Sequence, residues 1–279
     1  MIASKADDPG VVPTPPGRLV LLGHPVDHSL SPLFQNAALR AARIPLQYES
    51  IDVIARDLRH VIGELRTVNG AGNVTIPHKI AVHDMCYDLT PIATRVGAVN
   101  TFWHVDGKLY GDNTDVGGFD AAVRALVGGE VTGARVVMFG SGGAAAAVLA
   151  AVSAWRSAEV TLLSRNVDRA VALARRFPDV ARVEKKMERA LRTATLVVNA
   201  TPIGQHDDNH PLDLELIPKR AAVFDLVYRR GGTEWVKAAR QRGLRAADGL
   251  PMLLEQGALS FCRWFGRDPD REAMRVALL

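Results

Sequence analysis

Val136-Val137-Met138-Phe139-Gly140-Ser141-Gly142-Gly143-Ala144-Ala145 is an apolar run, a glycine-rich turn and the start of an alanine-rich segment. It fits the G-x-G-x-x-G/A pattern in the strand, turn and helix setting that the pattern requires. The first glycine permits a tight turn, and the second permits close approach of a pyrophosphate. The small Ala145 lets the helix pack on the strand. Free N–H groups at the helix start then face an anion. Gly140, Ser141, Gly142, Gly143 and Ala144 are therefore candidate cofactor-binding positions. A glycine turn with no ligand is the plainer alternative.

The end of the next strand, expected at 160–163, selects the dinucleotide. Folds that take NAD usually place a carboxylate there, about 20 residues on, for the ribose 2′-OH. This chain has Ser164-Arg165-Asn166, with Arg169 one turn later. A guanidinium suits a 2′-phosphate through paired hydrogen bonds, which favours NADP over NAD. Arginines on a solvated helix face are the alternative. Further strands are expected at 135–139, 196–199, 223–226 and 244–246, with helices at 144–155, 168–177, 186–191 and 234–242. Alternating strands and helices argue a parallel sheet with helices on its faces.

Residues 18–113 alternate in the same way. Strands are expected at 18–23, 47–53, 72–76, 98–105 and 108–111, and helices at 31–43, 55–66 and after Pro77. Ser31 reads as an N-cap, with Pro32 at the first helical position. Asn73-Val74-Thr75-Ile76-Pro77-His78-Lys79 places Thr75 and Lys79 at a strand-to-helix corner, Pro77 suiting the first helical turn. A lysine there serves as a proton donor or is a solvated surface charge. Asn100 and Asp115 stand at strand ends, which face the ligand crevice in an open α/β fold. Asp115 also fits the N-cap of a helix over 116–127.

The chain has 279 residues, 48% hydrophobic and 23% charged, enough for two domains with proper cores. A net charge of +4, with dispersed lysines and arginines, argues for small anionic ligands rather than nucleic acid. Cys86 and Cys262, the two cysteines, lie far apart and form no zinc or disulfide framework. No histidine cluster offers a metal site. Residues 136–155 are uncharged, but the glycines break the run and the rest is too short to span a bilayer. The proline-rich residues 1–16 read as a loose tail, not a signal peptide. The expectation is a cytoplasmic protein without membrane partners, monomer or homodimer.

Taken in order, several stretches resemble the shikimate dehydrogenase family. They are Ser29-Leu30-Ser31-Pro32, the 73–79 segment, Gly97-Ala98-Val99-Asn100-Thr101 and Gly111-Asp112-Asn113-Thr114-Asp115. The glycine turn, Asn199-Ala200-Thr201-Pro202, Asp248-Gly249 and Gln256-Gly257-Ala258 continue the match, which covers roughly 18–266. The resemblance implies a substrate-binding domain with a mostly parallel sheet at 17–113, completed by helices over 250–279. It also implies a Rossmann-type NADP-binding domain at 114–249, with the active site in the cleft between the two.

The activity implied is NADPH-dependent, reversible reduction of 3-dehydroshikimate to shikimate, in aromatic amino-acid biosynthesis. By position, Lys79 and Asp115 would form the catalytic pair. Ser29 and Ser31 would hold the substrate carboxylate, and Thr75, Asn100, Asp115 and Gln256 the ring hydroxyls. Tyr228 matches a substrate-side tyrosine. Asn199, Ala200, Thr201, Leu226, Gly249 and Met252 match cofactor-side positions, beside Ser164, Arg165, Asn166 and Arg169. NADP-using members often read Asn-Arg-Thr where this chain has Ser164-Arg165-Asn166. A dehydrogenase of the quinate or aminoshikimate type, with relaxed substrate or NAD use, is one alternative. A non-catalytic dinucleotide-binding protein on the same fold is the other.

Overall fold

The computed structural model describes residues 15–278. The expected tail over 1–16 lies outside the described residues apart from its last two. The chain divides into two compact units, one running to Gly118 and resuming at Leu254, the other spanning Phe119–Leu253.

The first unit opens with β1 (Leu19–Gly23), α1 (Ser31–Ala41), β2 (Tyr48–Asp52), α2 (Leu58–Thr67) and β3 (Ala71–Val74). It continues with α3 (Lys79–Met85), β4 (Asp88–Leu89), α4 (Pro91–Val96), β5 (Thr101–Val105), β6 (Lys108–Asp112) and the start of α5 (Asp115–Val127). The sheet order is β2-β1-β3-β5-β6-β4. β1 pairs parallel with β2 and β3, and β4 with β6, whereas β3–β5 and β5–β6 are antiparallel. Asp106-Gly107 makes the reversal from β5 to β6. Both residues have positive φ, 49° and 70°, the two-residue turn whose twist suits a hairpin. Leu58, Ile62 and Leu65 of α2 present one buried stripe to Val20, Leu22 and Phe102 of the sheet.

Two local expectations change. Ser31 is the first residue of α1, not its cap: Leu30 holds the cap position, and Ser29 Oγ accepts from the Ser31 N–H at 3.2 Å. Pro77 precedes α3 rather than opening it, so Lys79 is the first helical residue.

The second unit contains β7 (Arg135–Phe139), α6 (Gly143–Ser153), β8 (Glu159–Leu163), α7 (Val167–Arg175), β9 (Ala181–Val183) and α8 (Met187–Leu191). β10 (Leu196–Asn199), β11 (Ala222–Asp225), α9 (Glu234–Gln241) and β12 (Ala246–Ala247) follow. The order is β12-β11-β10-β7-β8-β9, parallel throughout. The three-residue β9 was not expected: an edge strand with a half-exposed pattern gives little periodic signal.

α10 (Leu250–Phe265) and α11 (Arg271–Val276) end the chain, with α11 packed on α1. The units divide at 118/119 and 253/254 rather than at 113/114 and 249/250. The cause is helix continuity. Asp115 at the start of α5 bonds within the first unit, whereas Phe119 stacks on Trp155 and meets Phe224 edge-on in the second. Among the described residues no helix is long and apolar enough to cross a membrane.

Candidate active site

In the first unit Lys79 Nζ donates to Asp115 Oδ2 at 2.6 Å. The two side chains are 25% and 12% exposed, so the pair is sheltered yet open to a ligand. Asp115 does not serve as a cap. It is the first residue of α5, and its Oδ1 accepts from Asn100 Nδ2 at 2.8 Å. Asn100 Nδ2 also reaches Thr114 Oγ1 at 2.9 Å and Gln256 Oε1 at 3.2 Å. Lys79, Asp115, Asn100 and Gln256, spread over α3, α5, the β5 approach and α10, therefore form one connected set.

A buried polar network fixes that set. Burial holds the Tyr48 phenol well above its ordinary titration range, so its hydroxyl donates, to Asn73 Oδ1 at 2.8 Å. That settles the Asn73 amide, whose Nδ2 donates to Thr101 Oγ1, Ser260 Oγ and the Asn100 carbonyl at 3.0, 2.9 and 3.0 Å. Asn100 Oδ1 in turn accepts from the Thr114 N–H at 2.7 Å and from the Thr101 hydroxyl at 3.0 Å. Its Nδ2 is left facing Asp115. Asn73, Thr101, Thr114 and Ser260 were not singled out from the sequence. Three of them stand inside the quoted motifs, whereas Ser260 had no signal beyond its place one turn after Gln256.

Thr75 leaves the end of β3, and Ser29 sits in the loop after the parallel neighbour β1. A Cβ on Gly23 would collide with Thr75 Cγ2 and lie 2.7 Å from Val26 Cγ1, so the two loops leave the same sheet end in contact. The helix that starts at Ser31 is fastened to the helix of Gln256 by Gln35 Nε2 donating to the Gly257 carbonyl at 2.9 Å. No hydrogen bond or ion pair among the described residues joins Ser29, Ser31 or Thr75 to Lys79 or Asp115. Tyr228 belongs to the second unit, half-buried, its phenol raised by burial.

The second unit carries a groove of about 1300 Å³ lined by Gly140–Gly142, Ser164–Arg169, Glu184, Lys185 and Ala200–Ile203. Its residues fit a dinucleotide. Gly140 has φ +111°, and a Cβ there would lie 2.6 Å from the Ala200 carbonyl, so only glycine makes this turn. At Gly142 and Gly143 a Cβ would meet nothing within 4 Å, which leaves the backbone open to a phosphate where α6 begins. Ser141 Oγ and Ser164 Oγ lie 3.1 Å apart. Arg165 and Arg169 are exposed on the groove without a salt-bridge partner among the described residues.

Two candidates are engaged internally. Asn166 Oδ1 caps α7 by accepting from the Arg169 N–H at 2.9 Å. Asn199, fully buried, spends its amide on Asp225, Thr201 and Ile203. Ala144 continues the turn into α6. Gly249 lies where a Cβ would collide with the Leu226 carbonyl, and Met252 follows one turn later in α10. Glu184 and Lys185 came from the unforeseen β9 edge.

A doubly wound parallel sheet with a glycine turn at its first strand, joined to a second α/β unit with a sheltered lysine–carboxylate pair, defines a two-domain dinucleotide-binding protein of the dehydrogenase type. Residues 21–102 match the shikimate dehydrogenase substrate binding domain, and 249–279 the shikimate 5′-dehydrogenase C-terminal domain. The chain is 40% identical to the NADP(+) shikimate dehydrogenase of Symbiobacterium thermophilum, over 95% of this chain and 94% of that one. It is 41% identical to that of Methylocella silvestris, over 90% and 91%. The crystal structure of shikimate 5-dehydrogenase from Thermus thermophilus with NADP(H) and shikimate superposes with a TM-score of 0.85. Identity there is 39%, covering 94% of this chain and 98% of that one. The chain belongs to the shikimate dehydrogenase family.

Proposed function

We propose that the chain catalyses the NADPH-dependent, reversible reduction of 3-dehydroshikimate to shikimate. The observation that carries this reading is the Lys79–Asp115–Asn100 array, set in a chain of this family. When bound, the reduced nicotinamide supplies the hydride that the carbonyl carbon receives.

Lys79 answers the charge that then builds on the carbonyl oxygen. Its ammonium donates a hydrogen bond to that oxygen and passes it a proton, and its partial exposure lets solvent restore the proton. Asp115 stays an acceptor. It holds Lys79 in line and takes a hydrogen bond from a ring hydroxyl, while Asn100 keeps the carboxylate from rotating. Thr75, Asn100 and Gln256 meet ring hydroxyls beside Asp115, the Ser29 and Ser31 hydroxyls meet the substrate carboxylate, and Tyr228 of the second unit is the substrate-side candidate there.

In the second unit the Gly140–Ala144 turn would hold the pyrophosphate. Arg165 and Arg169 would hold a 2′-phosphate, which supports NADP as the cofactor. The test is nicotinamide absorbance with shikimate and NADP⁺, beside parallel reactions containing NAD⁺ or quinate. Turnover with shikimate and NADP⁺ is expected. Comparable rates with NAD⁺ or quinate would overturn the specificity, and no turnover with shikimate and either cofactor would overturn the reading.

A further inference from the structure

Asp225 is a buried carboxylate that the mechanism above does not use. It closes β11 with no exposed surface, and no cation pairs with it among the described residues. Its partners are three neutral donors. Oδ1 accepts from Asn199 Nδ2 at 2.8 Å and from the Val227 N–H at 3.1 Å, and Oδ2 accepts from Thr233 Oγ1 at 2.9 Å. Burial, reinforced by the nearby Asp248 carboxyl, raises its pKa to about 6. A buried carboxylate without a countercharge costs stability at neutral pH even when hydrogen-bonded, so a gain elsewhere is expected to offset it.

The three partners show where that gain lies. Asn199 Oδ1 accepts from the Thr201 N–H and hydroxyl at 3.0 and 2.6 Å, and its Nδ2 also donates to the Ile203 carbonyl at 3.1 Å. Asp225 thereby holds the loop that forms one wall of the groove. Through Val227 it fixes the turn that carries Leu226 and Tyr228. That turn is tied on by Leu226 N–H to Asn199 O and Gly249 N–H to Val227 O, each 2.9 Å. Thr233, its third partner, caps α9.

The strand order places this hub. β7 carries the glycine turn, β8 and β9 lie on the adenosine 2′ side, and β10 to β12 lie on the other. The loops after β10 and β11 therefore belong to the nicotinamide half. We infer that Asp225 is a positioning residue: its carboxylate fastens the Asn199–Ile203 loop to the Leu226–Tyr228 turn and so shapes the nicotinamide half of the cofactor site. The inference rests on the cofactor reading above.

The experiment measures equilibrium binding of NADP⁺ and of adenosine 2′,5′-bisphosphate to the full chain by calorimetry. The bisphosphate carries only the half that Arg165 and Arg169 face. Asp225→Ala is expected to weaken NADP⁺ about tenfold and leave the bisphosphate within about twofold of wild type. Asp225→Asn keeps an acceptor for Asn199 and Val227 and can donate to Thr233, so it restores most NADP⁺ affinity. A general loss of structure would weaken both ligands alike. Equal losses, or no loss in Asp225→Ala, would overturn the inference. If Asp225→Ala does not fold, Thr233→Val removes one of the three donors and is read by the same split, about threefold. Failure of wild type to bind either ligand would instead overturn the cofactor reading.

Discussion

Lys79 Nζ sits 2.6 Å from Asp115 Oδ2, while the other oxygen of the same carboxylate is held by Asn100 at 2.8 Å. The pair joins the first residue of α3 to the first residue of α5 across a sequence separation of 36. A carboxylate gripped on both oxygens cannot swing away, so the ammonium it holds has one preferred direction. Such preorganisation makes a single proton donor effective at a developing oxyanion.

Lys79→Ala is accordingly expected to lower kcat by about 10²–10⁴, the usual worth of a positioned proton donor. NADP⁺ affinity should hold, because the groove is lined by second-unit residues. Steady-state rates beside a binding titration check this. An unchanged kcat would remove Lys79 from the proposed chemistry.

Ser260→Ala tests the network beneath the pair. Ser260 is fully buried, donates to the Gln256 carbonyl at 2.9 Å and receives Asn73 Nδ2. Losing the hydroxyl removes its bonds to Asn73 and the Gln256 carbonyl, while Asn73 Nδ2 keeps Thr101 Oγ1 and the Asn100 carbonyl. At roughly 0.5–1.5 kcal/mol for each lost bond, the cost is about 1–3 kcal/mol. The urea midpoint should fall with an unchanged slope. A midpoint equal to that of wild type would mean that the hydroxyl network adds nothing to stability.

Arg165→Ala and Arg169→Ala should each weaken NADP⁺ about tenfold through loss of a charge-assisted contact, and leave NAD⁺ affinity unchanged. Both guanidinium groups are exposed, so added salt should erode NADP⁺ binding in wild type more than in the variants. Parallel losses for NAD⁺ would show that the arginines support the loop and not the phosphate.

Strong periodicity and turn chemistry made most of this architecture readable in advance. The strands Arg135–Phe139 and Leu196–Asn199 coincide with the apolar runs, and the positive-φ Gly140 follows from the glycine pattern. Short, weakly patterned pieces such as β9 and α4 gave no comparable signal, nor did the antiparallel return of β5 and β6. In the site, residue types at strand ends pointed to Asn100 and Asp115. Their alignment depends on Tyr48, Asn73 and Ser260, which meet only through the tertiary fold. Ser31 opens α1 and does not cap it, and Ser29, two residues earlier, supplies the oxygen that receives its N–H.

Asp225 predicts how stability varies with pH. Its carboxyl titrates near 3.8 when unhindered and at about 6 in the fold, where burial disfavours the charge. Between those values the folded chain keeps a proton that the unfolded chain has released. Folding then takes up a proton, and stability falls as pH rises through the window from about 4 to about 6. At about 1.36 kcal/mol per pH unit, the full cost above that window is about 3 kcal/mol. Asp225→Asn removes the titrating group and retains its neighbours. The variant should gain on wild type as pH rises from about 4 to about 7, by up to about 3 kcal/mol, in urea midpoints taken across that range. Curves that stay parallel would place the Asp225 proton equilibrium outside folding, and with it the argument that this buried charge is retained at a cost.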